Sequence, residues 1–364
     1  MTHKVGTAVI GLGTIGAVHA ETYSQIPESQ FVAVCSRRQE IVEAYERKYG
    51  VKGYTDYREL LDNSEVEAVT ICTPHNLHHE MALAAAKSGK HVAVEKPLGI
   101  SLKEADDMVE AVRNAGVHDL YMENLCFAPS HHLAKEAVDS GTVGQVYLCK
   151  ARESVDFIFD SEAEKSLIEG KSQWSWYFDP AKTGGGQLIS TGCHPIQYVR
   201  YIYNRAPIKR VYAEISEHVG NKKKPGIEDA ALLTMRFEGG GVGEIETSFY
   251  ANGGTDDKAE IYGNKGSIFI DLYNRNPVTI FSHVGYNFGQ SIFVPPNANR
   301  GWTYPMPDEN YSLGYHHEQR HFLKSILQDK RPIINFDDGR ATLEVIEAGY
   351  RSHQTGAAIS LPLT

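Results

Sequence analysis

The chain has 364 residues, 23% of them charged and 41% apolar, enough for two domains or one large one with a full core. Its formal net charge of −10 argues against general nucleic-acid or anionic-membrane binding. No run is long enough to span a bilayer, a start that runs straight into a strand leads us to expect no secretory leader, and five scattered cysteines without a CxxC pair suit reduced thiols in a cytoplasm.

In chain order, Val5–Ile10, Phe31–Cys35, Ala68–Cys72, His91–Val94 and Asp119–Met122 read as short buried parallel strands with helices between them. The clearest helix starts near Leu102. Ser101 and Glu104 form a capping box, Leu102, Ala105, Met108, Val109 and Val112 give one apolar face, and Gly116 ends it. This alternation predicts a doubly wound α/β sheet over 1–124. Beyond it the pattern changes to a helix near Pro129–Ser140 and then strands at Gln145–Glu153, Arg210–His218, Ala230–Phe237, Val242–Phe249 and Ala259–Ile261. Residues 125–364 therefore read as a second, α+β domain with a mostly antiparallel sheet. Two long loops, near 154–186 and 283–315, are rich in aromatic residues, Gly and Pro, and the tail from Tyr315 to His353 is helical around Pro332.

Gly11, Gly13 and Gly16 make a GxGxxG turn after the first strand, with Thr14 and Ile15 opening a helix. The first glycine allows the turn, the second lets backbone approach a pyrophosphate, and the third lets helix pack on strand. The bland alternative is a tight turn without a ligand. An acid at the end of the second strand would bind the ribose 2′-hydroxyl of NAD. This chain has Ser36, Arg37 and Arg38 there, which suits the 2′-phosphate of NADP better, NAD remaining the alternative. Two solvated arginines opening a helix is the reading without function.

Glu95-Lys96-Pro97 closes the fourth strand. A lysine beside an acid at the mouth of a buried strand is costly, and the proline keeps Lys96 extended. With the phosphate turn, it points to redox chemistry on nicotinamide. Glu123 and Asn124 follow the last strand of the sheet and face the same crevice, as contacts to nicotinamide or substrate hydroxyls or as a hinge. Trp174 and Trp176 precede Gly184–Gly186, where aromatic faces suit either a sugar or ordinary loop packing. The histidines at 75, 78 and 79 and at 316, 317 and 321 lack an acidic third ligand at convincing spacing, so no catalytic metal is expected.

The order GLGTIG, then Thr73-Pro74-His75-Asn76-Leu77-His78, then Glu95-Lys96-Pro97, then Gly184–Gly186 leading to Gly192-Cys193-His194, resembles the glucose–fructose oxidoreductase/inositol dehydrogenase (Gfo/Idh/MocA) family over nearly the whole chain. The resemblance implies a Rossmann domain followed by an open-faced sheet domain. It implies nicotinamide-dependent redox chemistry on sugars, cyclitols and related polyols, by oligomers that would form here as a dimer or tetramer through the C-terminal sheet. Residue by residue it makes Glu95 and Lys96 the acid–lysine pair at nicotinamide, His194 the active-site histidine, and Thr73, Pro74, Asn76 and His78 the loop near the cofactor ribose. Ser190 stands where the family often has aspartate, four residues before His194 and so expected on the same helix face, which keeps a hydrogen-bonding group there but removes a charge. On this reading Lys96 and His194 share proton handling, and Lys96, Glu123, Trp174, Trp176, Ser190 and His194 line the substrate. Two other readings stay open: redox-assisted glycoside cleavage on tightly held NAD, and non-catalytic dinucleotide sensing.

Overall fold

A computed structural model describes residues 3–155, 174–217, 226–251, 254–273, 280–282, 301–303 and 308–363. Most of the two long loops, at 156–173, 283–300 and 304–307, lies outside the described residues. The chain divides into two compact units. Unit 1 comprises Met1–Phe127, Ala181–Gly184 and Gly314–Leu343, and unit 2 comprises Ala128–Pro180, Gly185–Leu313 and Glu344–Thr364. By this division the stretch 125–364 contributes to both units. Helix Tyr315–Leu327 returns to unit 1, where Arg320 meets Glu28 at 2.9 Å, and the Phe336 amide donates to Asp119 at 2.6 Å. Amphipathic spacing marks an apolar face but not the surface it will cover.

Unit 1 holds six parallel strands: β1 (Val5–Ile10), β2 (Ser29–Cys35), β3 (Lys52–Tyr54), β4 (Ala68–Ile71), β5 (His91–Glu95) and β6 (Asp119–Met122). The intervening helices are α1 (Thr14–Gln25), α2 (Gln39–Tyr49), α3 (Tyr57–Leu61), α4 (His78–Lys87) and α5 (Leu102–Ala115). The sheet order β3-β2-β1-β4-β5-β6 reverses direction between β1 and β4. Loops after those two strands diverge there and leave a crevice for a ligand. Three-residue β3 carries no pattern of its own. The start of α5 matches its sequence signature: Ser101 accepts from the Glu104 amide, and Gly116 ends the helix at φ +65°. The Glu104 carboxylate reaches the Ile100 amide at 2.9 Å, one residue before the cap.

Unit 2 is built on β7 (Val146–Ser154), β8 (Ile208–Ser216), β9 (Ala230–Phe237), β10 (Val242–Ser248), β11 (Asp256–Gly263) and β12 (Ser267–Asp271). With the edge pair Ile359–Ser360 they order as β12-β11-β7-β10-β9-β8-edge, and only β7 and β10 run parallel. One face of this sheet carries α6 (Pro129–Asp139) and α7 (Cys193–Ile202), and all ten residues of α7 are buried. Gly243 allows that packing, because a Cβ there would lie 2.7 Å from the Val199 side chain. The other face is laced with charge, as Arg152 pairs with Glu246 and Asp256 at 3.2 Å and Lys258 with Asp256 at 2.8 Å.

Candidate active site

The phosphate turn sits at the reversal point of the unit 1 sheet. Gly11 has φ +97°, and a Cβ on it would lie 2.6 Å from the Cys72 carbonyl oxygen. A Cβ on Gly16 would lie 1.8 Å from the Gly11 carbonyl oxygen, so this glycine sets how closely α1 approaches the turn. Gly13 differs: nothing lies within 4 Å of its notional Cβ. It caps α1 without a side-chain bond, so no side chain competes for the helix's first amides, including those of Thr14 and Ile15. Open space over uncapped amides at a helix N-terminus fits a pyrophosphate.

Beside it, β2 ends on Cys35, whose carbonyl accepts from the Gly11 amide at 2.9 Å. The Ser36 hydroxyl accepts from the Arg38 amide at 3.4 Å and keeps its own proton to donate elsewhere. Arg37 and Arg38 are exposed. The loop after β4 is pinned by His78, whose two ring nitrogens lie 2.9 Å from the carbonyl oxygens of Thr73 and Pro97. A neutral ring donates to one of them. Burial, outweighing both carbonyls, holds the His78 pKa below its ordinary value. His75 is also fully buried, with Nδ1 3.3 Å from the Thr183 carbonyl. Its pKa is pushed well down by burial first, then by His78 and Lys96. Pro74 leads into this turn, and among the described residues no donor reaches the buried Oδ1 of half-buried Asn76. An acceptor left so beside the crevice suits a ligand hydroxyl.

At the end of β5, Glu95 is buried and Lys96 half-buried. One Glu95 oxygen accepts from the Lys96 amide at 3.1 Å, and the other lies 2.7 Å from His19 Nε2. His19, wholly buried on α1, has its Nδ1 on the Gln319 amide. Glu318 is fully buried next door, and burial first, then the charges of Glu95 and Glu123, push its pKa well up, which favours its protonated form. Glu123 is fully buried against this group and Asn124 nearly so. The sequence reading missed His19, Gln319 and Glu318. His19 alone had a signal, lying three residues after Gly16 on the helix of the phosphate turn.

In unit 2, Ser190 ends the short helix Gln187–Ser190 and His194 lies in α7. The two are not on one continuous helix, contrary to the i, i+4 expectation. The His194 amide bonds the Thr191 carbonyl at 3.0 Å, and a break at Thr191 and Gly192 separates the segments. His194 Nε2 faces Glu153 of β7 at 3.9 Å, so a carboxylate approaches it from the sheet, while Ser190 supplies none. Glu228 anchors the segment. Its carboxylate accepts from the Gly186 and Leu188 amides at 2.7 and 2.8 Å and from the Tyr350 hydroxyl at 2.8 Å. This buried carboxylate also escaped the sequence reading. Trp174 packs against the cluster of Phe178, Ile227 and Phe249, which gives it a structural job, and Trp176 lies 4.2 Å from Tyr177 ring to ring. Among the described residues no group of three His, Cys, Asp or Glu is placed to hold a metal ion, and no helix is long and apolar enough to cross a membrane.

Comparison with known proteins matches residues 5–123 to the oxidoreductase family with an NAD-binding Rossmann fold and residues 131–269 to the GFO/IDH/MocA C-terminal domain. The chain is 29% identical over 358 residues to the myo-inositol 2-dehydrogenase of Thermotoga maritima, covering 97% of each chain. It is 31% identical over 305 residues to an uncharacterized oxidoreductase of Synechocystis sp., covering 79% of this chain and 78% of that one. Among solved structures, GenD2 from gentamicin A biosynthesis, in complex with NAD, shares the fold with a TM-score of 0.88 at 24% identity, over 100% of this chain and 98% of that one.

Proposed function

Because the chain belongs to the GFO/IDH/MocA oxidoreductase family, we propose that it is an NAD(P)-dependent dehydrogenase of a secondary hydroxyl in a sugar, glycoside or cyclitol. The observation that carries this is the pairing of an open Gly13 turn after β1 with a buried, hydrogen-bonded Glu95 beside Lys96 at the end of β5, the two strands flanking β4 in one sheet. The relative from Thermotoga maritima is named for inositol oxidation, which supports the substrate class.

When bound, nicotinamide accepts or returns a hydride. The chain's own residues do the rest. Gly11, Gly13, Gly16 and the first amides of α1 hold the pyrophosphate. Asn76 and the loop fixed by His78 meet the adjoining ribose. Ser36, Arg37 and Arg38 meet the adenosine ribose, and lacking a carboxylate they favour NADP over NAD. Lys96 takes the hydroxyl proton on oxidation and returns it on reduction, and His194 shares this task. Ser190 leaves His194 without a charge from its own segment, and Glu153 supplies one from β7. The charged sheet face of unit 2, with exposed Leu232 and Phe269, is the proposed surface for a dimer or tetramer, which light scattering would detect.

The test is formation of reduced nicotinamide with NAD and NADP in turn across a panel of cyclitols, free sugars and glycosides. Reduction with one substrate class supports the proposal and ranks the cofactors. Release of an aglycone without net reduction would replace it with redox-assisted glycoside cleavage.

A further inference from the structure

Three carboxyl groups crowd the core behind Lys96: Glu95 from β5, Glu123 after β6, and Glu318 from helix Tyr315–Leu327. Three buried anions would repel one another strongly, so the proton inventory of the cluster must be fixed. The protein fixes it by placing donors unequally. Glu95 has the Lys96 amide on one oxygen and the His19 ring on the other, at 3.1 and 2.7 Å, whereas the donor that acts on the fully buried Glu318 carboxyl is the Glu123 backbone, and burial outweighs it. Hydrogen bonds to the charged form favour ionisation. Of these two, the carboxyl group beside Lys96 is therefore the better held as an anion, and Glu318 the one that more readily keeps a proton.

His19 can play that part only if Nε2 bears its ring hydrogen. Gln319 arranges this by donating its amide hydrogen to Nδ1, and Tyr315 braces the ring edge-on at 5.5 Å. Gln319 lies 300 residues away in sequence. His19 sits on α1, the helix that starts at the phosphate turn.

We propose that His19, its tautomer set by Gln319, is a positioning residue for Lys96: by donating to Glu95 it keeps that carboxylate ionised and fixed, and it ties the acceptor of the Lys96 amide to the cofactor-binding helix. The proposal rests on the dehydrogenase reading for the role of Lys96, but not for the geometry. Besides Glu95, the groups that act on this corner are His75 and His78 after β4, Cys72, Glu123 and Glu318. Burial lowers the pKa of both histidines and raises those of Cys72 and Glu318, so each favours its neutral form, and the His19 bond is the contact that acts on the Glu95 charge.

Without the His19 donor, Glu95 takes up a proton more readily, and Lys96 loses the negative charge next to it in the chain. Its titration midpoint then falls, by about one pH unit for a single lost charge contact. The experiment reads Lys96 by NMR in protein reductively methylated with 13C, without cofactor or substrate, and reads the acid limb of kcat/KM separately. His19→Ala should lower both midpoints. His19→Gln, which keeps an N–H near the Nε2 position, should restore them. In a Glu95→Gln background, His19→Ala should cause no further shift. Gln319→Leu should give a smaller shift in the same direction, and it decides the matter if His19→Ala does not fold. An unmoved Lys96 midpoint in His19→Ala or Gln319→Leu protein, whatever happens to thermal stability, overturns the proposal. So does an equal shift in the Glu95→Gln background. The NMR arm stands even if no polyol is turned over, so failure of the functional reading would show separately.

Discussion

The phosphate turn of unit 1 and the histidine segment of unit 2 are both rich in glycine, yet their glycines do different work. In unit 2, a Cβ on Gly185 would lie 2.2 Å from the Tyr350 hydroxyl, one on Gly186 2.3 Å from the Glu228 carbonyl, and one on Gly192 2.5 Å from that of Leu188. Each is required by the protein's own packing. In unit 1, Gly11 and Gly16 are of this kind, but Gly13 meets nothing within 4 Å. A glycine that packing does not explain marks space kept for something else, and here it lies over uncapped helix amides.

Substitutions break or sharpen that contrast. Gly186→Ala forces a methyl into the Glu228 backbone and should cost about 3 kcal/mol or more, or prevent soluble expression, as read by urea unfolding. Gly13→Ala should leave the unfolding midpoint within about 0.5 kcal/mol of the parent. Cofactor affinity should nonetheless fall by about tenfold or more, a loss of about 1.4 kcal/mol, by titration calorimetry. If Gly13→Ala instead unfolds the protein with affinity unchanged, the space is structural.

The buried carboxyl group gives a prediction with a definite sign. Glu318 keeps its proton in the folded state well above its ordinary pKa of 4.5, whereas the unfolded chain loses it near that value. Above it the unfolded state binds fewer protons, so this group's contribution to stability declines as pH rises. Glu318→Gln should therefore raise the melting temperature at pH 7 to 8, by about 2–4 °C for each 1 kcal/mol recovered, and change little at pH 4. His75 and His78 act oppositely. Their folded pKa values lie below 6.5, so their stabilising share is lost as pH falls through that value. The smallest expected effect is on cofactor choice. Replacing Arg37 and Arg38 together by Ala should weaken NADP binding about tenfold, worth about 1.4 kcal/mol, with NAD affinity little changed. Equal loss for both cofactors would point to adenine stacking instead.

The same contrast explains what the sequence disclosed. Unit 1 was legible where structure is local. The turn after β1, the alternation of strands with helices and the Ser101 cap each depend on neighbours a few residues apart. The site's side-chain partners were not legible where they are remote. Gln319 on His19 is one case, and Glu228 on the Gly186 amide, 42 residues apart, is another. Ser190 and His194 misled for a related reason. Their spacing is helical, but the backbone leaves the helical region at Thr191, with φ −124°, between them. Tail helix Tyr315–Leu327 showed its amphipathic face without showing that unit 1 would receive it.

The central claim is that Lys96 handles the proton while nicotinamide handles the hydride. The direct measurement is single-turnover reduction of bound cofactor by Lys96→Ala protein against the parent, after calorimetry shows that both bind it equally. The account predicts a loss of about 10²- to 10⁴-fold in the rate of reduction with cofactor affinity preserved. Reduction at the parental rate would contradict it and remove Lys96 from the chemistry.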